Sequence, residues 1–241
     1  MKVLAIDTSS NVASAAILED DKLIAEYTLN HKKTHSQKIM PMVEEIMRSC
    51  ECSVSDIDVF AAVHGPGSFT GLRIGVATIK ALAHAAGKPV VGISSLEAMA
   101  YQLSYTPYWI VPIMDARRGQ VYNGIYAWEN DRWTELTAPR ALAMEECIEE
   151  IKRAGRKAVF LGDGVPVHRE LIEATLREQA MFAPAFCVLQ RAATVAQLAL
   201  ERAKRGDTQS YLELVPFYLR KSQAEREYLE KEKQRHDSNR K

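Results

Sequence analysis

The sequence has few cysteines and no excess of either charge. Of its 241 residues, four are cysteines, and the closest pair, Cys50 and Cys52, is separated by one residue. This spacing fits neither a CxxC zinc site nor a disulfide framework, so we expect free thiols and no bound metal. Lysine plus arginine and aspartate plus glutamate number 31 each. Because a protein that binds RNA alone usually carries a basic excess, this balance argues against RNA binding by the chain alone.

Long apolar runs are also missing. The first run, residues 3–6, is interrupted by Asp7 and is too short for the core of a signal peptide. No later run approaches the roughly 18 apolar residues of a membrane span. Together with the free cysteines, this favours a cytoplasmic protein that does not bind a membrane. The composition, 47% hydrophobic and 26% charged, is typical of a globular protein.

Apolar patterning and turn signals predict two successive α/β units. The first unit has predicted strands at 3–7, 13–18, 23–29, 59–63 and 89–93, and predicted helices at 35–50, 69–86 and from 94. The second has predicted strands at 109–115, 120–128, 133–139 and 157–164, and predicted helices at 143–154 and 167–179. Each unit opens with a strand that ends in an aspartate, Asp7 or Asp115, and continues with two further strands.

This repeated order predicts an α/β protein with the two-lobed fold of the actin, sugar kinase and Hsp70-like (ASKHA) superfamily, in which a nucleotide lies between the lobes. We expect an N-terminal lobe at 1–105 and a C-terminal lobe at 106–219. The second lobe is predicted to be shortened, since only one clear helix, 193–206, follows Ala180. The charged segment 220–241 is expected to be a flexible tail.

The segment HGPGSFTGLRIG, His64–Gly75, holds four of the twelve glycines of the chain. A phosphate-binding P-loop requires a lysine directly after its last glycine, and the dinucleotide fingerprint requires a third glycine one residue before Gly71. Neither pattern fits. A phosphate loop is therefore not expected here.

Spacing suggests a different use for Gly67, Gly71 and Gly75, which recur every fourth residue and so share one helix face. A helix face without side chains allows another backbone to approach closely. That backbone could belong to the chain's own sheet or to another subunit, where Phe69 and Leu72 would add apolar contact. The spacing leaves both alternatives open.

Two further sets of residues are candidates for metal or phosphate chemistry. Asp7, Thr8 and Ser9 lie at the end of the first strand, and Asp115 takes the equivalent place in the second unit. Carboxylate groups suit Mg²⁺, and hydroxyl groups suit phosphate oxygens. The alternative is that Asp7 and Ser9 only form a β-turn. His31 and His35 lie four residues apart, but we expect surface or capping roles for them, as no HExxH pattern is present.

Four segments together resemble the bacterial TsaB (YeaZ) family: LAIDTS, HGPGSFTGLRIG, DARRGQVY and PFYLRKSQAE. The resemblance extends to about Ala224. It implies a role in the synthesis of threonylcarbamoyladenosine in tRNA, as the noncatalytic partner of TsaD, a paralogue that performs the transfer. A TsaE-like ATPase is the third partner that the resemblance implies, and no cofactor is expected for this chain.

The sequence departs from the catalytic relatives at two places. TsaD-like proteins carry a metal motif, NHxExH, whose glutamate corresponds to Glu97, but the two histidine positions are occupied by Ser95 and Met99. Hydroxyl and thioether groups are poor replacements for imidazole as metal ligands. The glycine pair of the nucleotide site corresponds to Gly162 and Gly164, but Asp163 lies between them. We therefore expect a degenerate nucleotide site and weak or absent ATP binding.

The resemblance also implies that helices 35–50 and 69–85 pack across subunits, with TsaD in a heterodimer or with a second copy in a homodimer. The predicted interface residues are Ile39, Met42, Val43, Ile46, Gly67, Phe69, Gly71, Leu72 and Gly75. The second hypothesis is a kinase or ATPase of the same superfamily that uses Asp7 and Asp115. A peptidase ranks last, since the sequence offers no nucleophile–base pair and no metal cluster.

Overall fold

A computed structural model describes residues 1–30 and 35–220. His31 and nearly all of the expected tail lie outside these residues. The strands are Lys2–Asp7 (β1), Val12–Glu19 (β2), Lys22–Asn30 (β3), Val59–Gly65 (β4), Val90–Ser94 (β5), Trp109–Asp115 (β6), Gln120–Glu129 (β7), Arg132–Ala143 (β8), Ala158–Leu161 (β9) and Ala180–Phe182 (β10). The α-helices are His35–Ser49 (α1), Phe69–Ala86 (α2), Ser95–Tyr101 (α3), Met144–Ala154 (α4), Val165–Leu176 (α5) and Ala192–Lys204 (α6).

The strands form two sheets of the same connectivity, with orders β3-β2-β1-β4-β5 and β10-β9-β6-β7-β8. In the first sheet β1 is antiparallel to β2 and parallel to β4. In the second sheet β6 is antiparallel to β7 and parallel to β9. Asp7 and Asp115 therefore end equivalent central strands. This arrangement confirms the predicted two-lobed α/β fold, including the repeat.

The first sheet is covered by helices on both faces, as the alternation along β1 requires. Leu4 and Ile6 pack into a core with α1 and α2, while Val3 and Ala5 pack on the opposite face with α6. Successive side chains of a strand point to opposite faces, so a strand that is apolar throughout needs two covering layers. This explains why β1 is an uninterrupted apolar run.

The expected boundary of the second lobe is wrong for its last quarter, from residue 192 onward. Helix α6 packs on the first sheet, where Val195 and Ala199 contact the face formed by Val3 and Ala5. Beyond it, Gln209 and Val90 exchange two backbone hydrogen bonds of 2.9 Å, and Leu214 is buried in the first core. The second face of the first sheet would otherwise be open to water, and α6 is the apolar helix that covers it. Residues from 192 to 214 thus belong to the first lobe.

The two lobes share a hydrophobic core. Helices α4 and α5 cover one face of the second sheet. The other face is covered by α3 of the first lobe, whose Leu96 and Met99 are buried with Ile110 and Tyr126. The short helix α3 therefore joins the lobes at the base of the space between them. Across 1–30 and 35–220, no helix combines the length and apolarity that a bilayer span demands.

Candidate functional site between the lobes

A cleft of about 530 Å³ lies between the lobes, where the loops after β1 and β6 face each other. Its first-lobe wall includes Ser9, Ser68 and Thr70, of which Ser68 and Thr70 are exposed. Its second-lobe wall carries the carboxylates of Asp115 and Asp163 and the guanidinium of Arg117. The loops at the carboxyl ends of parallel strands commonly bind ligands, so this cleft is the candidate site of the fold.

Asp7 is buried and is not part of the cleft wall. Burial raises the pKa of its carboxyl group to about 6, although hydrogen bonds from Ser9 act in the opposite direction. Its Oδ1 accepts hydrogen bonds from the backbone N–H of Ser9 at 2.8 Å and from Ser9 Oγ at 2.7 Å. Its Oδ2 is buried with no hydrogen-bond partner among the described residues. In this structure Asp7 therefore closes the turn after β1.

Asp115, in contrast, lies at the exposed lip of the cleft. Its Oδ1 accepts a hydrogen bond of 2.7 Å from the N–H of Arg117. Its own N–H donates to Asp163 Oδ1 at 3.1 Å, so the two carboxylates are neighbours. Burial raises the pKa of Asp163, and the nearby charge of Asp115 raises it further. The described residues contain no cluster of three or more histidine, cysteine, aspartate or glutamate side chains suited to a metal ion.

Gly162 and Gly164, which were assigned to a degenerate nucleotide site, approach the chain's own backbone. A Cβ at Gly162 would overlap the carbonyl oxygen of Ile113, and a Cβ at Gly164 would lie 3.0 Å from the same oxygen. Gly162 also has a φ of +104°, which favours glycine. These glycines therefore let the start of α5 pack directly on β6.

The residues that the resemblance aligns with the TsaD metal motif are engaged within the protein. Glu97 Oε2 accepts a hydrogen bond of 2.6 Å from Arg202 Nη2, which links α3 to α6. Burial raises the pKa of Glu97, while the charge of Arg202 acts against this. Ser95 Oγ donates to the carbonyl of Pro66, and Met99 is buried in the core shared by the lobes. The three positions serve internal contacts.

The glycine face of α2 packs against the chain itself, which corrects the prediction that it meets another subunit. A Cβ at Gly67 or Gly71 would overlap the carbonyl oxygen of Ser9 or Thr8. A Cβ at Gly75 would lie 2.5 Å from Thr8 Oγ1. Thr8 Oγ1 in turn donates a hydrogen bond of 2.7 Å to the carbonyl of Gly71. The backbone that these glycines admit is the turn after β1.

Four other predicted interface residues are also buried in the first lobe. Ile39, Val43, Ile46 and Leu72 are at most 1% exposed. Their side chains cannot reach a partner while the lobe is folded, so their assignment to a subunit interface is corrected. The apolar periodicity of α1 and α2 marked the faces that cover the sheet. Met42 and Phe69 are partly exposed.

His35 contacts the turn that Asp7 organises. Its Nε2 lies 2.6 Å from the carbonyl oxygen of Ser10. The adjacent Ser10 Oγ donates a hydrogen bond of 2.8 Å to Gln190 Oε1. These contacts agree with a local structural role for His35 at the start of α1.

Sequence reasoning missed the C-terminal strap, residues 217–220, which forms one side of the cleft. The N–H of Phe217 donates to the carbonyl of His64 at 2.7 Å, and Tyr218 stacks on Phe69 with 4.0 Å between ring centroids. Arg220 Nη1 then donates to the carbonyl of Ala116 at 2.7 Å. The strap thus crosses from the first lobe to the second. The adjacent aromatic residues Phe217 and Tyr218, just before the charged tail, were the sequence signal that could have predicted the strap.

Two sheets of like connectivity that enclose a cleft define an ASKHA-type protein. The chain matches, over residues 22–228, the family model described as TsaD, tRNA N6-adenosine threonylcarbamoyltransferase. It is 35% identical to the tRNA threonylcarbamoyladenosine biosynthesis protein TsaB of Bacillus subtilis, over 97% of this chain and 100% of that protein. It is 31% identical to the TsaB protein of Escherichia coli, over 93% and 96% of the two chains. The chain belongs to the TsaB (YeaZ) family, which confirms the resemblance.

The fold agrees with that of a solved relative. A crystal structure from Pseudomonas aeruginosa, described as an uncharacterized protein with similarity to peptidase YeaZ, superimposes with a TM-score of 0.75. The two sequences are 24% identical, and the match covers 91% of this chain and 99% of that one. This likeness supports the two-lobed architecture of the chain.

Proposed function

We propose that the protein is a noncatalytic, cytoplasmic subunit of the complex that synthesises threonylcarbamoyladenosine in tRNA, and that it supports a TsaD-like transferase. The proposal rests on the observation that the side chains of Ser95, Glu97 and Met99 make contacts within the chain. At the positions where the transferase has metal ligands, this chain has a buried hydroxyl, an ion pair to Arg202 and a buried thioether. The names of the relatives and of the matching family model support the same pathway.

The proposed partner surface is the outward side of α1 and α2. Met40 of α1 is 45% exposed, and Ala77 and Ala81 of α2 are exposed. Small residues one turn apart, such as Ala77 and Ala81, allow a partner helix to approach closely. Methionine adapts its shape readily, which suits a surface that accepts either a TsaD-like paralogue or a second copy. Met42 and Phe69 stand at the edges of this surface.

Reconstitution tests the noncatalytic role. The purified chain is combined with tRNA, threonylcarbamoyl-AMP, a TsaD-like enzyme and a TsaE-like ATPase, and modified adenosine is measured. We expect product only when the TsaD-like enzyme is present, and much more of it when this chain is added. Product from this chain alone, or full product without it, would contradict the proposal.

A pair of alanine variants tests the surface. Ala81→Arg places a long charged side chain on the outward side of α2, and we expect loss of co-elution with the TsaD-like enzyme. Ala174→Arg, at an exposed position of α5 on the second lobe, is the matched control and should leave co-elution unchanged. Equal behaviour of the two variants would place the interface elsewhere.

The cleft supports a second candidate, a nucleotide-binding enzyme that uses Asp7 and Asp115. Its wall of serine and threonine hydroxyls is suited to phosphate groups. The burial of Asp7 weighs against this candidate, because an Mg²⁺ ion would have to reach a carboxylate that is absent from the cleft wall. Calorimetric titration of Mg²⁺-ATP into the isolated chain distinguishes the two candidates, and micromolar binding with turnover would favour the enzyme.

A further inference from the structure

Arginines gather at the mouth of the cleft. Arg117 and Arg220 line the cleft itself, and Arg118 follows Arg117 in the exposed β6–β7 turn. Arg73 joins them through the strap, since its Nε donates a hydrogen bond of 3.0 Å to the hydroxyl of Tyr218. We call this set, Arg73, Arg117, Arg118 and Arg220, the arginine rim.

The turn that presents Arg117 and Arg118 is held in an unfavourable backbone conformation. Their φ angles are +64° and +57°, a region that residues other than glycine, asparagine and aspartate rarely adopt. The carboxylate of Asp115 accepts a hydrogen bond from the N–H of Arg117 and stabilises this turn. Such strain persists only where the surroundings impose it, and it is concentrated at binding sites. The turn thus presents two consecutive guanidinium groups at the lip.

The other two arginines are positioned by the strap. The guanidinium of Arg73 lies over the ring of Phe69, with 4.2 Å between its carbon and the ring centroid. Arg220 is oriented by its hydrogen bond to the carbonyl of Ala116, the residue directly before Arg117. Arg73 is therefore held by aromatic contacts, and Arg220 is held by its hydrogen bond to the second lobe.

The charge of the rim is not neutralised within the described part of the chain. None of the ion pairs between residues of 1–30 and 35–220 includes a rim arginine. The carboxylates of Asp115 and Asp163 line the same cleft, but each accepts a hydrogen bond from a backbone N–H. Four guanidinium groups outnumber these two carboxylates, so the rim is a cationic patch on a chain of zero formal net charge.

We propose that the arginine rim binds phosphate groups of the tRNA backbone when the protein is in its complex, an inference that rests on the proposed function. Guanidinium groups bind phosphate oxygens through paired, charge-assisted hydrogen bonds. A nucleic-acid strand offers several successive phosphates to the four arginines, whereas an isolated anion offers a single group. Because the rest of the chain adds no basic excess, the rim contributes to RNA binding alongside the partner and does not bind RNA strongly alone.

The test uses the complex of this chain with the TsaD-like enzyme and fluorescently labelled tRNA. The double variant Arg117→Gln/Arg118→Gln removes both charges and leaves two shorter, polar side chains. We expect the Kd for tRNA to rise roughly tenfold, and the slope of log K against log salt to become shallower by about 1.5, as two phosphate contacts are lost. The matched control is Arg132→Gln/Arg156→Gln, two exposed arginines of the second lobe outside the cleft.

Each alternative has its own outcome. An unchanged salt slope, or an equal loss in the control variant, overturns the proposal. Loss of co-elution with the TsaD-like enzyme in the rim variant would mean that the rim contacts protein, which also overturns it. Full displacement of tRNA from the rim by millimolar ATP would assign the arginines to a nucleotide. If the wild-type proteins do not co-elute at all, the proposed function fails, and this result is distinct from a failure of the rim.

Discussion

At the scale of single residues, the glycines at the start of α2 show that one spacing is compatible with packing inside the chain or against another subunit. Gly71 and Gly75 lie on one face of α2 and Gly67 lies two residues before the helix, and the tertiary structure places all three against Thr8 and Ser9. Their periodicity could be read from the sequence. The identity of the backbone they approach could not, because close approach is a relation between segments more than 60 residues apart.

Replacement of Gly71 by leucine should therefore destabilise the isolated chain. The new side chain would overlap the carbonyl oxygen of Thr8, and such overpacking typically costs about 1–3 kcal/mol or more. Urea unfolding followed by circular dichroism measures the loss. Ala77→Leu, at an exposed position of the same helix, is the control and should change stability by less than about 0.5 kcal/mol. Equal stability of the two variants would restore the subunit interpretation of the glycine face.

Asp7 should impose a pH dependence on stability. Burial raises its pKa in the folded state to about 6, from an ordinary value of 3.8. Between pH 4 and pH 6 the folded state then binds more protons at this site than the unfolded state, so its contribution to stability falls as pH rises and is constant above about 6. The difference amounts to no more than about 3 kcal/mol.

Comparison of the wild type with Asp7→Asn isolates this contribution. We expect the variant to gain stability relative to the wild type as pH rises from 4 to 7, as measured by urea unfolding at each pH. Asp21→Asn, which changes an exposed aspartate, should show no such trend. A constant difference between wild type and Asp7→Asn would mean that the carboxyl group of Asp7 ionises normally in the folded state.

At the scale of elements, periodicity predicted the helices and most of the strands close to their observed limits. Strand β10 was missed because its three residues are too few for a pattern. The predicted strand at 133–139 is part of a longer strand, β8, which extends to Ala143. The sequence also did not predict which sheet α6 packs on, because an apolar helix face does not specify the sheet that it covers.

The C-terminal strap is the element whose role is easiest to test. Tyr218→Ala removes the stack on Phe69 and the hydrogen bond from Arg73. We expect a loss of about 1–2 kcal/mol and faster amide exchange at Phe217, whose N–H is bonded to His64. Tyr105→Ala is the control, because it removes a ring that contacts Trp128 at a tilt and lies outside the cleft. Unchanged exchange at Phe217 would show that the strap is held by other contacts.

At the scale of the whole molecule, several contacts join the lobes in the described part of the chain. Helix α3 is buried against the second sheet, Ser10 bonds to Gln190, and Arg220 of the strap reaches Ala116. These contacts connect the two lobes and oppose their separation.

The sequence by itself determined the class of fold, the repeated order of its elements and the family, because these depend on local periodicity and on motifs that are contiguous in the chain. Through the family resemblance it also led to the prediction that Ser95 and Met99 replace two metal ligands. Only the tertiary structure decided which faces are internal, that α6 returns to the first lobe, and that a strap and an arginine rim border the cleft. These features depend on packing between distant segments, and a local pattern does not specify which of the available apolar surfaces will meet.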